Sequence, residues 1–283
     1  MARLTAIQLN SVTNVDENLA KIRKILKEVP QTEQHLVVLP ECCLFFGGKD
    51  QEQLLLAEQD QQNQKLVAAL ASIARDFAVT LVAGTIPVLA PTNKSKALVK
   101  FYNRSCVFSP AGQLIASYDK IHLFDVKVSD KTKAYRESDH TQAGSHTTVA
   151  NIGFAQLGLS VCYDLRFPEL YRQLQQQGAD IITVPSAFTK VTGKAHWHVL
   201  LQARAIENQV FVIAAGQEGV HQNGRETWGH SMIISPWGDI LAIKDVGEGF
   251  VSAEVELSNI ARIRANMPVA THNQFNVQLK VPK

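Results

Sequence analysis

Leu157-Gly-Leu-Ser-Val161, Phe167-Pro-Glu-Leu-Tyr-Arg-Gln-Leu-Gln-Gln-Gln177 and Ile181-Ile-Thr-Val184-Pro185 follow one another in the chain, and their order decides the fold. The first and third are short apolar runs, one ending at Cys162 and the other closed by Pro185, and their length reads as buried strands. The stretch between them reads as a helix. Downstream the grammar continues, with a helix over His196 to Glu207 and a strand over Val210 to Ala215 that ends at Gly216. The upstream half repeats it. Leu4 to Leu9 reads as a strand, and Asn14 with Glu17 three residues later resembles a capping box. Leu19, Ile22, Ile25, Leu26 and Val29 then form one apolar helical stripe. His35 to Leu39 is a strand closed by Pro40, Leu66 to Phe77 an amphipathic helix, and Val79 to Ala83 a strand ending at Gly84. Continuous apolar strands alternating with helices predict an α/β fold with helix-covered sheets.

The halves also match residue by residue. Ser109-Pro-Ala-Gly-Gln-Leu-Ile-Ala116 aligns with Ser235-Pro-Trp-Gly-Asp-Ile-Leu-Ala242, each a turn between strand-like runs. Val-Val-Leu-Pro40 parallels Ile-Thr-Val-Pro185, and Val82-Ala-Gly84 parallels Ala214-Ala-Gly216. Two related β-α-β-α-β-β halves are expected. No Pro, Gly or Ser linker separates them, so residues 1–283 read as a single domain of two packed sheets. The Gln-rich stretches at Gln59 to Gln64 and Gln173 to Gln177 read as solvated helix faces.

Composition bounds the function. At about 150 residues per domain, 283 residues are ample for a large core, and 46% hydrophobic with 19% charged residues is an ordinary globular mixture. A net charge of +2 argues against a nucleic-acid binder. Four cysteines make no disulfide framework and show no C-x-x-C metal spacing. The N-terminus lacks the apolar core of a signal peptide, and no apolar run approaches the roughly 20 residues of a membrane span. A reduced, cytoplasmic protein is expected.

In open α/β sheets the active site lies beyond the carboxyl ends of the strands. Glu41 follows the strand closed by Pro40, Cys162 follows the Leu157 strand, and Lys120 follows the hairpin turned at Pro110 and Gly112. A carboxylate, a thiol and an ammonium therefore converge on one rim. A thiol attacks a carbonyl carbon only with a base or cation to activate it. Glu41 suits proton transfer, first from the thiol and later to a leaving amine. Lys120 suits stabilisation of the thiolate and of a tetrahedral oxyanion, with the backbone N–H of Tyr163 as a second donor. Each residue alone has a bland reading, as a buried packing thiol, a helix-start charge or a surface lysine. Cys42, Cys43 and Cys106 read as packing residues.

Leu-Pro-Glu41, Tyr118-Asp-Lys120-Ile-His-Leu-Phe and Cys162-Tyr-Asp-Leu-Arg-Phe-Pro-Glu-Leu together resemble the three signatures of the nitrilase superfamily of carbon–nitrogen hydrolases. The resemblance covers nearly the whole chain. It implies a four-layer αββα sandwich with its two sheets face to face. It also implies Glu41 as general base, Lys120 as oxyanion stabiliser and Cys162 as nucleophile. A second family glutamate maps onto Glu137, in Tyr135-Arg-Glu137-Ser. Pro185-Ser-Ala-Phe-Thr, Thr192-Gly-Lys-Ala-His-Trp197, Ala203-Arg-Ala-Ile-Glu-Asn208 and Trp228-Gly-His-Ser-Met232 narrow the resemblance to the Nit-type amidases. That implies a small ω-amide substrate, cofactor-free hydrolysis and homodimers or larger assemblies built through helix faces. Deaminated glutathione is the expected substrate and 2-oxoglutaramate the alternative. A non-catalytic scaffold keeping the fold is the rival class, which the presence of Glu41, Lys120 and Cys162 together disfavours.

Other polar residues have two readings each. Arg166 anchors a substrate carboxylate or braces the turn after Cys162, with Asp164 and Glu169 as bracing partners. His196 lines the pocket or is a packed histidine at a helix start. His196, His198, His221 and His230 show no metal-ligand spacing, so no metal is expected. Phe124 to His146 is long and polar, carrying Lys127, Lys131, Lys133 and Arg136. It reads as a lid attracting an anionic substrate or as a surface loop.

Overall fold

The computed structural model describes residues 1–91, 99–129 and 134–280. The first half runs β1 (Ala2–Gln8), α1 (Val15–Glu28), β2 (His35–Val38), α2 (Asp50–Asn63), α3 (Lys65–Asp76), β3 (Thr80–Leu89), β4 (Phe101–Phe108) and β5 (Leu114–Asp119). A short hairpin follows, β6 (Asp125–Lys127) and β7 (Ala134–Arg136), and then β8 (Val149–Asn151). The second half runs β9 (Gln156–Leu159), α4 (Pro168–Gln176), β10 (Ile181–Thr183), α5 (Lys190–Asn208), β11 (Phe211–Ala214), β12 (Glu218–Val220), β13 (Glu226–Trp228), β14 (Ser231–Ile234), β15 (Ile240–Lys244) and β16 (Gly249–Val255). α6 (Ser258–Asn266) comes after it.

Among the described residues two six-stranded sheets form, in the orders β16-β1-β2-β3-β4-β5 and β8-β9-β10-β11-β14-β15. Within each sheet five strands lie in the chain order of one half, which is the predicted repeat. One antiparallel strand flanks each set: β16 pairs with β1 and β8 with β9. The last strand of the chain thus completes the first sheet. The repeated turns share their bonding too. Ser109 N–H donates to Gln113 O and Gly112 N–H to Ser109 O, both at 2.8 Å. Ser235 N–H donates to Asp239 O at 2.8 Å and Gly238 N–H to Ser235 O at 2.9 Å. Both turn glycines have positive φ, +76° and +97°, which excludes a side chain without strain.

Alternation along the strands explains the layering. Leu4, Ala6, Leu36, Val38, Val82 and Val107 join the core between the sheets, together with Leu157, Leu159 and Ile181. Their neighbours Ile7, Val37, Leu39, Leu81, Ala83, Cys106 and Phe108 turn to the other face and pack on Ile22, Leu26, Leu66, Leu70 and Ile73 of α1 and α3. Leu170 and Leu174 of α4 and Trp197 and Leu201 of α5 cover the second sheet. Strands buried on both faces read as unbroken apolar runs, which is why they stood out in the sequence. The result is the expected αββα sandwich.

Two boundaries differ from expectation. β3 does not end at Gly84 but passes it with a register shift between Ala83 and Ile86. A Cβ at Gly84 would meet the Pro40 carbonyl oxygen at 2.0 Å, so the glycine marks a close strand approach rather than a stop. α5 begins at Lys190, not His196, because the Thr189 hydroxyl caps it by accepting the Thr192 N–H. Gly193 inside it is required by packing, since a Cβ there would meet Trp228 at 2.3 Å. Asn14 caps α1 as expected, accepting the Glu17 N–H at 3.0 Å.

Candidate active site

Glu41 lies just past β2, Lys120 just past β5 and Cys162 just past β9. The β6–β7 hairpin swings Glu137 in beside them. Lys120 is buried, 2% exposed, so its charge needs partners. Its Nζ donates to Glu41 Oε1 at 2.9 Å and to Glu137 Oε2 at 2.8 Å and Oε1 at 3.1 Å. Asn103 of β4 ties the same two carboxylates, its Nδ2 donating to Glu41 at 2.9 Å and Glu137 at 3.3 Å. The Ala187 N–H holds the other Glu41 oxygen at 2.9 Å, and the Phe124 N–H holds Glu137 Oε2 at 2.7 Å. Each carboxylate is therefore fixed by several donors.

Cys162 opens a 3₁₀ turn over Cys162–Arg166 and takes a left-handed φ of +49°, costly for a side-chain-bearing residue. The surroundings hold it there. Cys162 N–H donates to Pro185 O at 2.9 Å. Asp164, fully buried, accepts from Tyr118 Oη at 2.8 Å, from Val161 N–H at 2.9 Å and from His122 N–H at 3.1 Å. The His122 ring Nδ1 lies 2.7 Å from the same carboxylate. Arg204 of α5 donates twice to Leu165 O, at 2.8 and 3.0 Å.

The electrostatics define a resting state. Burial pushes the Cys162 thiol well up, the Glu41 charge pushes it further, and Lys120 only partly offsets them. Burial also works to raise Glu41, but the Lys120 charge and hydrogen bonds from Lys120 and Cys162 outweigh it and hold the carboxyl below its ordinary value. Lys120 resists the neutralising pull of burial because Glu137 and Glu41 face it, and it titrates well above a free lysine. The pair at rest is a thiol hydrogen-bonded to a carboxylate.

These groups line a cavity of about 480 Å³ whose walls include Phe46, Tyr135, Tyr163, Phe188 and Arg225. That volume is typical of small-molecule sites. Arg136 and Tyr135 of the hairpin belong to the lining; Lys131 and Lys133 lie outside the described residues. Tyr163 lines the cavity, whereas Arg166 and His196 are not among its lining residues. Arg166 Nη1 sits 3.2 Å from His196 Nδ1, and its guanidinium lies over the Tyr163 and Phe188 rings. Asp164 does not pair with Arg166 as expected, because its oxygens are taken by Tyr118, His122 and Val161. Bracing of the Cys162 turn comes from Asp164 and Arg204 instead. His196 is exposed in the second turn of α5 rather than at its start. Cys43 and Cys106 are packed in the core, and Cys42 is buried with its thiol pushed up to about 12 by burial and then by Glu41. Among the described residues no three His, Cys, Asp or Glu side chains form a set that could hold a metal.

Asn103, Arg204 and Arg225 were not singled out from the sequence. Asn103 had a weak signal, a polar residue at a buried position of a strand. Arg204 stood within the stretch 203–208 with no role of its own, and Arg225 had no signal; only the tertiary fold brings Arg204 to Leu165 and Arg225 to the cavity.

Fold and site together define a carbon–nitrogen hydrolase: residues 3–265 match the carbon-nitrogen hydrolase family model, and the chain belongs to that family. Among its relatives is a protein of Yersinia enterocolitica named deaminated glutathione amidase, 41% identical over 283 residues, covering all of this chain and 96% of the relative. A Xenopus laevis protein named omega-amidase NIT2-B is 32% identical, covering 97% of this chain and 96% of its own. Among solved structures, the C. elegans NitFhit protein superposes with a TM-score of 0.87 at 32% identity, covering 99% of this chain and 68% of that one.

Proposed function

We propose that this protein is an amidase that hydrolyses deaminated glutathione through a thioester on Cys162. The observation that carries the reading is the buried cluster in which Glu41, held by three donors, faces the Cys162 thiol, with Lys120 between Glu41 and Glu137. The name of the Yersinia relative supports the substrate.

In this reading Cys162 Sγ attacks the amide carbonyl carbon as its proton passes to Glu41. The carbonyl oxygen becomes an oxyanion. An ammonium has three N–H groups; Glu41 takes one of those of Lys120, Glu137 shares a second between its two oxygens, and the third is directed to the oxyanion. The Tyr163 N–H, at the start of the turn, is the second donor. Glu137 keeps Lys120 charged and aimed. The tetrahedral intermediate collapses, the C–N bond breaks, and the leaving nitrogen takes the proton from Glu41. Water then gives a proton to Glu41 and attacks the thioester, and Cys162 recovers its proton as the acid leaves. From deaminated glutathione the products are 2-oxoglutarate and cysteinylglycine. From 2-oxoglutaramate they are 2-oxoglutarate and ammonia.

Tyr163 belongs to this reading as a substrate contact, with Arg166 and His196 behind it, Arg166 holding the Tyr163 and Phe188 rings. The reading also includes a reduced cytoplasmic setting and a homodimer. The four free, buried cysteines support the first. The exposed Val199 and Ile206, one heptad apart on α5, support the second. Among the described residues no helix is long and apolar enough to cross a membrane.

The test is side-by-side kinetics of 2-oxoglutarate release at one pH and salt concentration. We expect kcat/KM for deaminated glutathione to exceed that for 2-oxoglutaramate by at least about 10-fold, because contacts to the cysteinylglycine tail add transition-state binding. Equal or reversed preference moves the assignment to an ω-amidase. Faster turnover of simple nitriles rejects the amidase reading.

A further inference from the structure

The Arg225 guanidinium lines the same cavity as Cys162 and Glu41. Its Cζ lies over two rings, 5.0 Å from the centroid of Phe46 and 5.0 Å from that of Tyr135. Its Nη2 donates to the Ala187 carbonyl at 2.7 Å. Its Nε, by contrast, is buried and has no hydrogen-bond partner. An unmet donor on a buried charged group is costly, and an arginine in this position ordinarily meets a carboxylate. The two carboxylates that line the cavity are already engaged: Glu41 by Lys120, Asn103 and Ala187, and Glu137 by Lys120, Asn103 and Phe124. Among the described residues no acidic side chain forms an ion pair with Arg225. The cation is held in place and part-buried, lines the same cavity as the thiol, feels Glu41 only at a distance, and among the described residues has no carboxylate in direct contact.

We propose that Arg225 is a specificity-determining anchor that binds a carboxylate of the substrate, so that the cavity selects amides carrying a carboxylate over neutral amides. The inference rests on the amidase reading and deepens it. The contacts with the Phe46 and Tyr135 rings hold the guanidinium, whose N–H groups point outward in its own plane. Nη2 already donates to Ala187 and Nε is enclosed by protein, so Nη1, which makes no hydrogen bond among the described residues, is the donor left for the incoming carboxylate. The bond to Ala187 gives Arg225 a second possible role, since the Ala187 N–H positions Glu41. The two roles separate experimentally. Loss of bracing slows every amide alike, whereas loss of an anchor penalises anionic amides selectively.

The experiment compares wild type with Arg225→Gln and Arg225→Lys on two amides of equal length, 4-carbamoylbutanoate and pentanamide. We expect Arg225→Gln to lower the ratio of kcat/KM for the anionic amide to that for the neutral one by about 10- to 100-fold, chiefly through KM. Arg225→Lys, which keeps the charge without the fork, should restore part of the ratio. A ratio unchanged in Arg225→Gln overturns the proposal. A second arm does not depend on turnover: titration of 2-oxoglutarate into Cys162→Ala protein, with and without Arg225→Gln, monitored by calorimetry. Affinity should fall at least about 10-fold with the second substitution, and equal affinity overturns the anchor. Should the wild type hydrolyse neither these amides nor deaminated glutathione, the amidase reading fails and this titration alone decides the role of Arg225.

Discussion

Burial pulls both Cys162 and Glu41 toward their neutral forms, and only Glu41 escapes, because Lys120 stands beside it. This division of protonation states makes Glu41 the base and Cys162 the proton donor at rest. Replacing Cys162 by Ala removes the covalent route, so turnover should fall by on the order of 10³-fold or more while circular dichroism stays unchanged. Near-normal turnover would contradict the nucleophile assignment. Glu41→Gln keeps the shape and removes the base, and steady-state kinetics should show a loss of about 10²-fold or more in kcat. The pH dependence has a definite sign. Catalysis needs Glu41 ionised, and its folded-state pKa lies below the ordinary 4.5. Activity therefore persists below that pH and is lost as pH falls through the depressed value. The same shift stabilises the fold above the unfolded-state pKa and is lost over the same descent. A kcat/KM profile with its acid limb centred near pH 6 would argue against Glu41 as the base.

At the scale of elements, the site stands where strands end, and strand ends are sensitive to what passes them. Gly84 of β3 crosses Pro40, one residue before Glu41, with no room for a Cβ. Gly84→Ala should displace the end of β2 and cost on the order of 1–3 kcal/mol or more. At this chain length about 2–4 °C of Tm are lost per kcal/mol. Differential scanning calorimetry and a kcat assay should both register the change, and a variant with wild-type Tm and kcat would contradict the close-approach reading. The strands carrying Glu41 and Cys162 were legible because both of their faces are buried, which leaves unbroken apolar runs ending in Pro40 and Cys162. Lys120 was legible from its hairpin turn. The start of α5 was not, because Gly193 inside a helix opposes local propensity and is explained only by the ring of Trp228 from β13. Asn103 and Arg225 reach the cavity through pairings distant in sequence; a polar residue within a strand was the one local hint at Asn103, and Arg225 had none. The bracing given to Arg166 fell instead to Arg204, a helix away.

At the scale of the molecule, two like halves enclose one core and leave apolar groups outward. Val199 is 68% exposed and Ile206 51%, with Trp237 at 59% on the repeated turn beside Ile206. A homodimer built on this helix face should appear in sedimentation velocity as a species of twice the monomer mass, and Val199→Glu with Ile206→Glu should shift it to monomer. A wild type that sediments as a monomer at micromolar concentration would contradict that assembly. The central claim is covalent catalysis by Cys162, and intact-mass spectrometry of the whole chain tests it most directly. Protein mixed with deaminated glutathione and acid-quenched within the first turnovers should carry one added 2-oxoglutaryl group, mapped by peptide digestion to Cys162 and missing from Cys162→Ala. An unmodified chain during undiminished turnover, with Cys162→Ala still active, would contradict the account.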